Sequence, residues 1–310
     1  MKNKLLILVA LISTVFTTES TAQQDAQFTQ YMYNTISVNP AYAGSRGAIS
    51  MTGLYRTQWV GLEGAPDTQT FNIHSPVGDS EKVGLGLSII NDNIGPTHET
   101  YFDIDFSYTI NTSEEGRLAF GVKAGGHLLD VAFSELNQFN GGDQLLQTDI
   151  ENKFSPNVGA GIYYRKGDRW YVGLSAPNLL ETTHFDESAL SVANEQINLY
   201  LIGGYVFDIN QDLKLKPAFL FKGVKGAPLQ ADLTLNALLR EKLTLGLAYR
   251  WSAAVSALVG YQLTDKLMLG LAYDRETTDL GQTQFEQGSY EIFLRYEIFE
   301  NQKILSPRFF

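Results

Sequence analysis

Residues 100–110 read "TYFDIDFSYTI". Phe102, Ile104, Phe106, Tyr108 and Ile110 alternate with Asp103, Asp105, Ser107 and Thr109. A period of two puts the large apolar side chains on one face of an extended strand and the polar ones on the other. The pattern returns along the chain. Leu243, Leu245, Leu247 and Tyr249 alternate with Thr244, Gly246 and Ala248, and Leu267, Leu269, Leu271 and Tyr273 repeat it. Leu229 to Leu239 and Tyr290 to Ile298 carry it further.

Over the whole chain the alternation predicts fourteen strands. They lie near 48–58, 68–75, 82–91, 100–110, 118–127, 156–165, 169–176, 197–208, 213–223, 229–239, 242–250, 254–262, 266–275 and 289–299. Most have about nine to eleven residues, the length a tilted strand needs to cross an outer membrane. With the first strand rising from the periplasm, the upper loops include 92–99, 128–155, 177–196 and 276–288. The lower turns include 76–81, 166–168, 209–212, 240–241 and 263–265. Long loops alternating with tight turns is the parity of a membrane barrel. A soluble sandwich has no reason to keep it. Tyr108, Tyr249, Tyr261, Tyr273 and Tyr296 lie toward strand ends, where membrane interfaces favour Tyr and Trp. A secreted sandwich or solenoid, with those rings at the edge of its core, is the competing fold. Backbone groups in lipid must be paired, so a membrane sheet must close on itself. The expected class is all-β: a transmembrane outer-membrane β-barrel of fourteen antiparallel strands.

The ends agree with that destination. Lys2 and Lys4 precede the apolar run Leu5–Ile12, extended by Val15 and Phe16, and Ser20-Thr21-Ala22 supplies small residues. This is the pattern of a secretory signal peptide cut after Ala22. The alternative, a membrane anchor, needs roughly 20 apolar residues. The expected layout is a signal peptide at 1–22, an N-terminal segment at 23–47, a barrel at 48–299 and a C-terminal tail at 300–310. The chain has no Cys, which excludes a lipoprotein and disulfides. The formal charge is -11, so no nucleic-acid partner is expected.

Catalytic and metal signals are weak. His74, His98, His127 and His184 show no metal spacing, and "GLSII" and "GLSAP" are strand text rather than nucleophile elbows. Asp92, Asp143 and Asp149 fall in expected loops without a calcium-loop pattern. Neither an enzyme activity, nor a cofactor, nor a small-molecule substrate is expected.

Two groups of residues invite a function. The segment "QFTQYMYNTISVNPAYAG" at 27–44 is aromatic, amide-rich and uncharged. Its candidate contact residues are Phe28, Gln30, Tyr31, Met32, Tyr33, Asn34, Asn39, Pro40 and Tyr42. It either plugs the lower lumen or meets a periplasmic partner, since both are buried, hydrogen-bonded surfaces. The second group is a charge network on inward faces: Arg56, Asp103, Asp105, Lys123, Lys214, Lys216, Glu291, Arg295 and Glu297. An Arg facing lipid at mid-membrane costs roughly 2–4 kcal/mol, so Arg56 is placed in the lumen. Asp103, Asp105, Glu291 and Glu297 are its candidate acid partners. The network either stiffens a lumen too wide for a side-chain core or lines a substrate path.

The sequence also resembles the PorP/SprF family, the type IX secretion membrane proteins of Bacteroidota. The resemblance rests on "QFTQYMYNTISVNPAYAG" at 27–44, "YRTQWVGLEGAP" at 55–66 and "GLGLSIINDNIGP" at 84–96. It continues through "FSPNVGAGIYY" at 154–164, "YVGLSAPNLL" at 171–180 and "GYVFDI" at 204–209. "LKLKPAFLFKGVKGAPLQADL" at 213–233, "LGLAYR" at 245–250 and "GSYEIFLRYEIF" at 288–299 complete it. One departure is Tyr290, where the family commonly has His. The resemblance implies a fourteen-stranded outer-membrane barrel working with the type IX machinery. It implies a non-enzymatic component that receives or anchors large adhesin-like cargo with a type B C-terminal sorting domain, in some species for gliding. The fold alone would equally suit a passive porin or lipophile channel.

Overall fold

The computed structural model describes residues 27–135, 149–180, 196–283, 287–299 and 309. The expected signal peptide at 1–22, the polar stretch "NQFNGGDQ" at 137–144, and most of the expected tail at 300–310 lie outside them.

The chain forms a closed barrel of fourteen antiparallel strands. They are β1 Ile49–Thr57, β2 Asp67–Val77, β3 Val83–Ile94, β4 Thr97–Asn111, β5 Gly116–Val131, β6 Ile150–Lys166 and β7 Trp170–Ala176. The second half comprises β8 Asn198–Tyr205, β9 Leu213–Val224, β10 Gln230–Leu239, β11 Leu243–Arg250, β12 Ala254–Gln262, β13 Leu267–Glu276 and β14 Ser289–Ile298. The short pairing Phe207–Asp208 continues β8 past Val206, whose amide turns to the Arg169 carbonyl. Each strand pairs with its sequence neighbours, and β1 pairs with β14 from Ile49↔Ile298 to Thr57↔Tyr290, which closes the ring.

The faces are inverted relative to a soluble protein. Phe102, Ile104, Phe106, Tyr108 and Ile110 on β4 are exposed, while Asp103, Asp105 and Ser107 are buried. Outward rings gather in two belts. Tyr55, Tyr249, Trp251 and Tyr290 lie toward one end; Tyr108, Tyr205, Phe207, Tyr261 and Tyr296 lie toward the other. Such girdles flank the lipid band of an outer-membrane barrel.

The connections refine the expected parity. At one end, here the turn end, every link is short, such as 167–169 and 240–242. At the other, the loop end, 132–149, 177–197 and 277–288 are long, but other links are tight. The expected loop at 92–99 is not a loop. β3 runs to Ile94, β4 starts at Thr97, and only Gly95 and Pro96 lie between, with Gly95 at φ 54. Asp92 and Asn93 stay in register opposite Glu99 and His98. Their side chains meet Thr68 and Asp67 of β2, at 2.5 and 3.1 Å. The hairpin tip is polar because a strand that rises past the lipid band meets water, not because it is irregular.

Candidate functional site

The lumen is filled by the chain itself. Residues 27–46 run inside the ring from the loop end to the turn end, in short helical turns at Tyr31–Tyr33, Thr35–Val38 and Pro40–Tyr42. Pro40 opens the last of these, where its missing N–H costs nothing. Asn39 caps that turn, its Oδ1 accepting from the Ala41 amide at 3.0 Å. On β14 the segment spans from the level of Glu291 to that of Glu297 rather than only the lower part.

Its contacts run down the wall in order. At the loop end, the amides of Thr29 and Gln30 donate to the two carboxylate oxygens of Glu291, each at 2.9 Å. The Thr29 hydroxyl donates to Asp274 at 2.6 Å and accepts from Arg56 Nη1 at 2.9 Å. At mid-height, Asn72 donates to Asn34 Oδ1 at 2.6 Å. Lower down, the Ser175 hydroxyl donates to the Val38 carbonyl at 2.6 Å, and Asn39 Nδ2 donates to the Ile162 carbonyl at 3.0 Å. Ser107 donates to the Ala43 carbonyl at 2.7 Å, and the Gly44 amide to His74 Nδ1 at 3.2 Å. Polar wall residues thus satisfy a backbone that has no ladder of its own.

Apolar packing completes the seat. Phe28, Tyr31, Met32, Ile36, Ala41 and Tyr42 are all buried. Tyr33 stacks on Phe293 with centroids 4.5 Å apart, and Tyr42 meets His74 and Tyr163 edge-on. Two wall glycines permit the close approach. A Cβ on Gly121 would lie 2.1 Å from the Ala41 nitrogen, and one on Gly84 would lie 2.2 Å from the Ala43 oxygen. All nine segment residues singled out from the sequence lie within this filling.

Among the described residues most of the inward charges fall in three tiers instead of one network. At the loop end Arg56 meets Asp274 at 2.7 Å and Glu291 at 3.3 Å, and Arg250 meets Asp232 at 2.9 Å. At mid-height Lys123 meets Asp103 at 3.0 Å and Asp105 at 3.8 Å. At the turn end Arg46 grips Glu297 with two nitrogens, and Arg295 lies 3.9 Å from the same carboxylate. Of the four acids expected to pair with Arg56, only Glu291 does. Asp103 and Asp105 sit on β4, three strands along the wall from β1, and Glu297 lies three inward positions below Glu291 on β14. Lys214 belongs to none of the tiers: it is part-exposed at the turn-end rim, 3.4 Å from Glu241. Lys216 is fully buried, with its ammonium against the Phe309 carbonyl.

Sequence reasoning missed Arg46, Asp274, Asp232 and Arg250. The last three share the inward parity of their strands and were findable by that signal. Arg46 carried none, since "GSRG" reads as turn text. The acids expected in loops lie as follows: Asp92 accepts from Thr68, and exposed Asp149 accepts from the Ser134 hydroxyl at 2.7 Å, which lowers its pKa. Asp143 and His184 lie outside the described residues. Among the described residues no three metal-ligating side chains come together.

Residues 20–296 match the family described as "Type IX secretion system membrane protein PorP/SprF". The chain belongs to the PorP/SprF family. This makes it a component of type IX secretion in the outer membrane, and neither the family nor the barrel is an enzyme class. No curated protein matches it. Among solved structures, the Acinetobacter baumannii outer membrane protein Omp33 is 8% identical, with a TM-score of 0.48 over 82% of this chain and 100% of its own. The CymD monoaromatic hydrocarbon channel is 10% identical, with a TM-score of 0.49 over 86% and 98%. The KdgM porin is 10% identical, with a TM-score of 0.39 over 80% and 99%. Likeness this distant says nothing of what the present barrel binds. Tyr290, the departure from the family pattern, faces outward against Tyr273, with centroids 5.2 Å apart.

Proposed function

We propose that this PorP/SprF barrel is a docking component that receives or anchors particular large surface proteins, rather than a conduit. The cargo carries a type B C-terminal sorting domain and includes gliding adhesins where the host glides. The protein reaches the outer membrane after loss of residues 1–22, contacts outer-membrane lipid, and works beside the type IX machinery. The observation that carries the reading is the lumen filled from Thr29 to Arg46 and bonded to the wall at every level. A barrel so filled offers partners its loops and mouths instead of a flow path. A rigid wall holds such surfaces in place, as specific recognition requires. Residues 23–47 act in this reading as a plug, and the loop-end and turn-end charge tiers hold plug and wall together.

The test is deletion of the gene followed by quantitative proteomics of the cell surface and medium. One or a few large adhesins should disappear from the surface while most secretion continues. An unchanged adhesin profile, in a strain with no paralogue to substitute, refutes the cargo role. A steady porin-like current from the purified barrel in a planar bilayer would favour the passive channel instead.

A further inference from the structure

The turn end of the lumen holds a feature that the docking role does not use. Lys216, on the inward face of β9, is fully buried. Among the described residues no carboxylate lies within ion-pair distance of it. Its neighbours in charge are cations, for Arg46 and Arg295 share the single acid Glu297. A buried ammonium without an acid needs dipoles and ring faces to replace its water.

Phe309 supplies both. Its carbonyl accepts from the Lys216 ammonium, and its ring lies 4.5 Å from the same nitrogen. Tyr33 of the luminal segment forms the other wall, 6.0 Å from Lys216 and 5.5 Å from the Arg295 guanidinium. Phe309 is itself buried, and the cavity left beside it is about 20 Å³, room for about one water. Leu238, Met268 and Thr244 line the rest, and Glu241 and Lys242 mark the rim where the site opens. Nothing in the strands requires Phe309 to sit there: it lies eleven residues past Ile298, the end of β14, and pairs with no strand.

We propose that the turn end of the lumen is a binding seat for an aromatic peptide segment, keyed by Lys216 and Tyr33 and occupied here by the chain's own Phe309. The ligand class follows from the two contacts. One is a backbone carbonyl for the ammonium, and the other is an aromatic ring for the cation and the Tyr33 wall. Self-occupancy makes the seat competitive. A segment of another protein carrying the same two groups takes it only by displacing Phe309. This inference stands apart from the cargo role, and either can fail without the other.

The experiment uses the full chain in detergent and a fluorescent peptide of residues 303–310, read by anisotropy. The variant Phe309→Ala takes the ring out of the seat, leaves only the backbone carbonyl to compete for Lys216, and touches no strand. It should bind the peptide saturably, at least tenfold more tightly than wild type, whose seat is filled. Adding Lys216→Met should weaken that binding at least tenfold, and so should a peptide carrying Phe309→Ala. Met is close to Lys in volume and apolar, and heat-modifiable gel migration confirms that each variant is folded. Absence of saturable binding to Phe309→Ala overturns the proposal. So does equal binding by wild type, or indifference to the Phe→Ala change in the peptide, which needs no second protein variant.

Discussion

Glu291→Gln tests the hold of the wall on the luminal segment at a single acceptor. Glu291 takes the Thr29 amide on one oxygen and the Gln30 amide on the other, each at 2.9 Å. The oxygen that serves Thr29 also lies 3.3 Å from Arg56 Nη1. A Gln side chain keeps only one acceptor oxygen. It will turn that oxygen to the side with two donors, Thr29 and Arg56, and its NH₂ will face the Gln30 amide. Gln30 N–H then loses a charge-assisted bond and meets another donor, while Thr29 N–H keeps a neutral acceptor. A hydrogen bond to a charged group is worth about 1.5–3 kcal/mol, and leaving a buried donor unpaired costs about 1–3 kcal/mol. A net loss of about 2–3 kcal/mol at Gln30 corresponds to a roughly 30- to 150-fold faster amide exchange, taking tenfold per 1.4 kcal/mol. Thr29 should change by only about fivefold, from the lost charge alone. The assay is residue-resolved hydrogen exchange in detergent micelles, with the Ala41 amide, bonded within its own turn, as the internal reference. Unchanged exchange at Gln30, or equal acceleration at Gln30 and Ala41, refutes the reasoning.

Two further outcomes follow from the same packing. Gly121→Ala places a methyl against the backbone of Ala41, where neither side is a flexible side chain, and overpacking of this kind costs about 1–3 kcal/mol. The heat-modifiability midpoint should fall for Gly121→Ala and not for Gly53→Ala, whose outward site is open; equal midpoints would contradict the close approach. Tyr31→Ala, Met32→Ala and Tyr33→Ala combined remove the bulk of the filling, at roughly 2–5 kcal/mol for each truncation of a buried side chain. Planar-bilayer conductance should rise from small, infrequent openings to a sustained current, and a wild-type protein that already conducts steadily would refute the plug.

Strands were legible because lipid and lumen impose opposite chemistry on successive residues, and β4 shows this without ambiguity. Polar strand tips were not legible. "NDNI" at 91–94, followed by Gly95 and Pro96, has the composition of a loop, and only pairing with β2 and β4 reveals it as strand. For the charges, parity gave the inward face but not the level. Level depends on register around the ring, which no local pattern carries. Arg56 therefore met Asp274 on β13, with β14 between them in the ring, and not the acids of β4. The bulky segment at 27–44 showed its stickiness in composition. Its path showed nowhere, because that path is set by glycines on β3 and β5, far from it in sequence.

The route of residues 27–46 also bears on the order in which the barrel is made. The segment continues through Ala48 directly into β1, and β1 forms the seam with β14. A ring sealed first would have to draw Tyr31, Met32 and Tyr42 in end-on, past the level where Arg46 and Glu297 now meet. A sheet still open at the seam can instead wrap sideways around the segment, meeting each donor and acceptor at its own height. The second route breaks no formed ladder, and it makes the nine residue pairs of the seam the last to form. On that route the first and last strands stay apart until the lumen is already full.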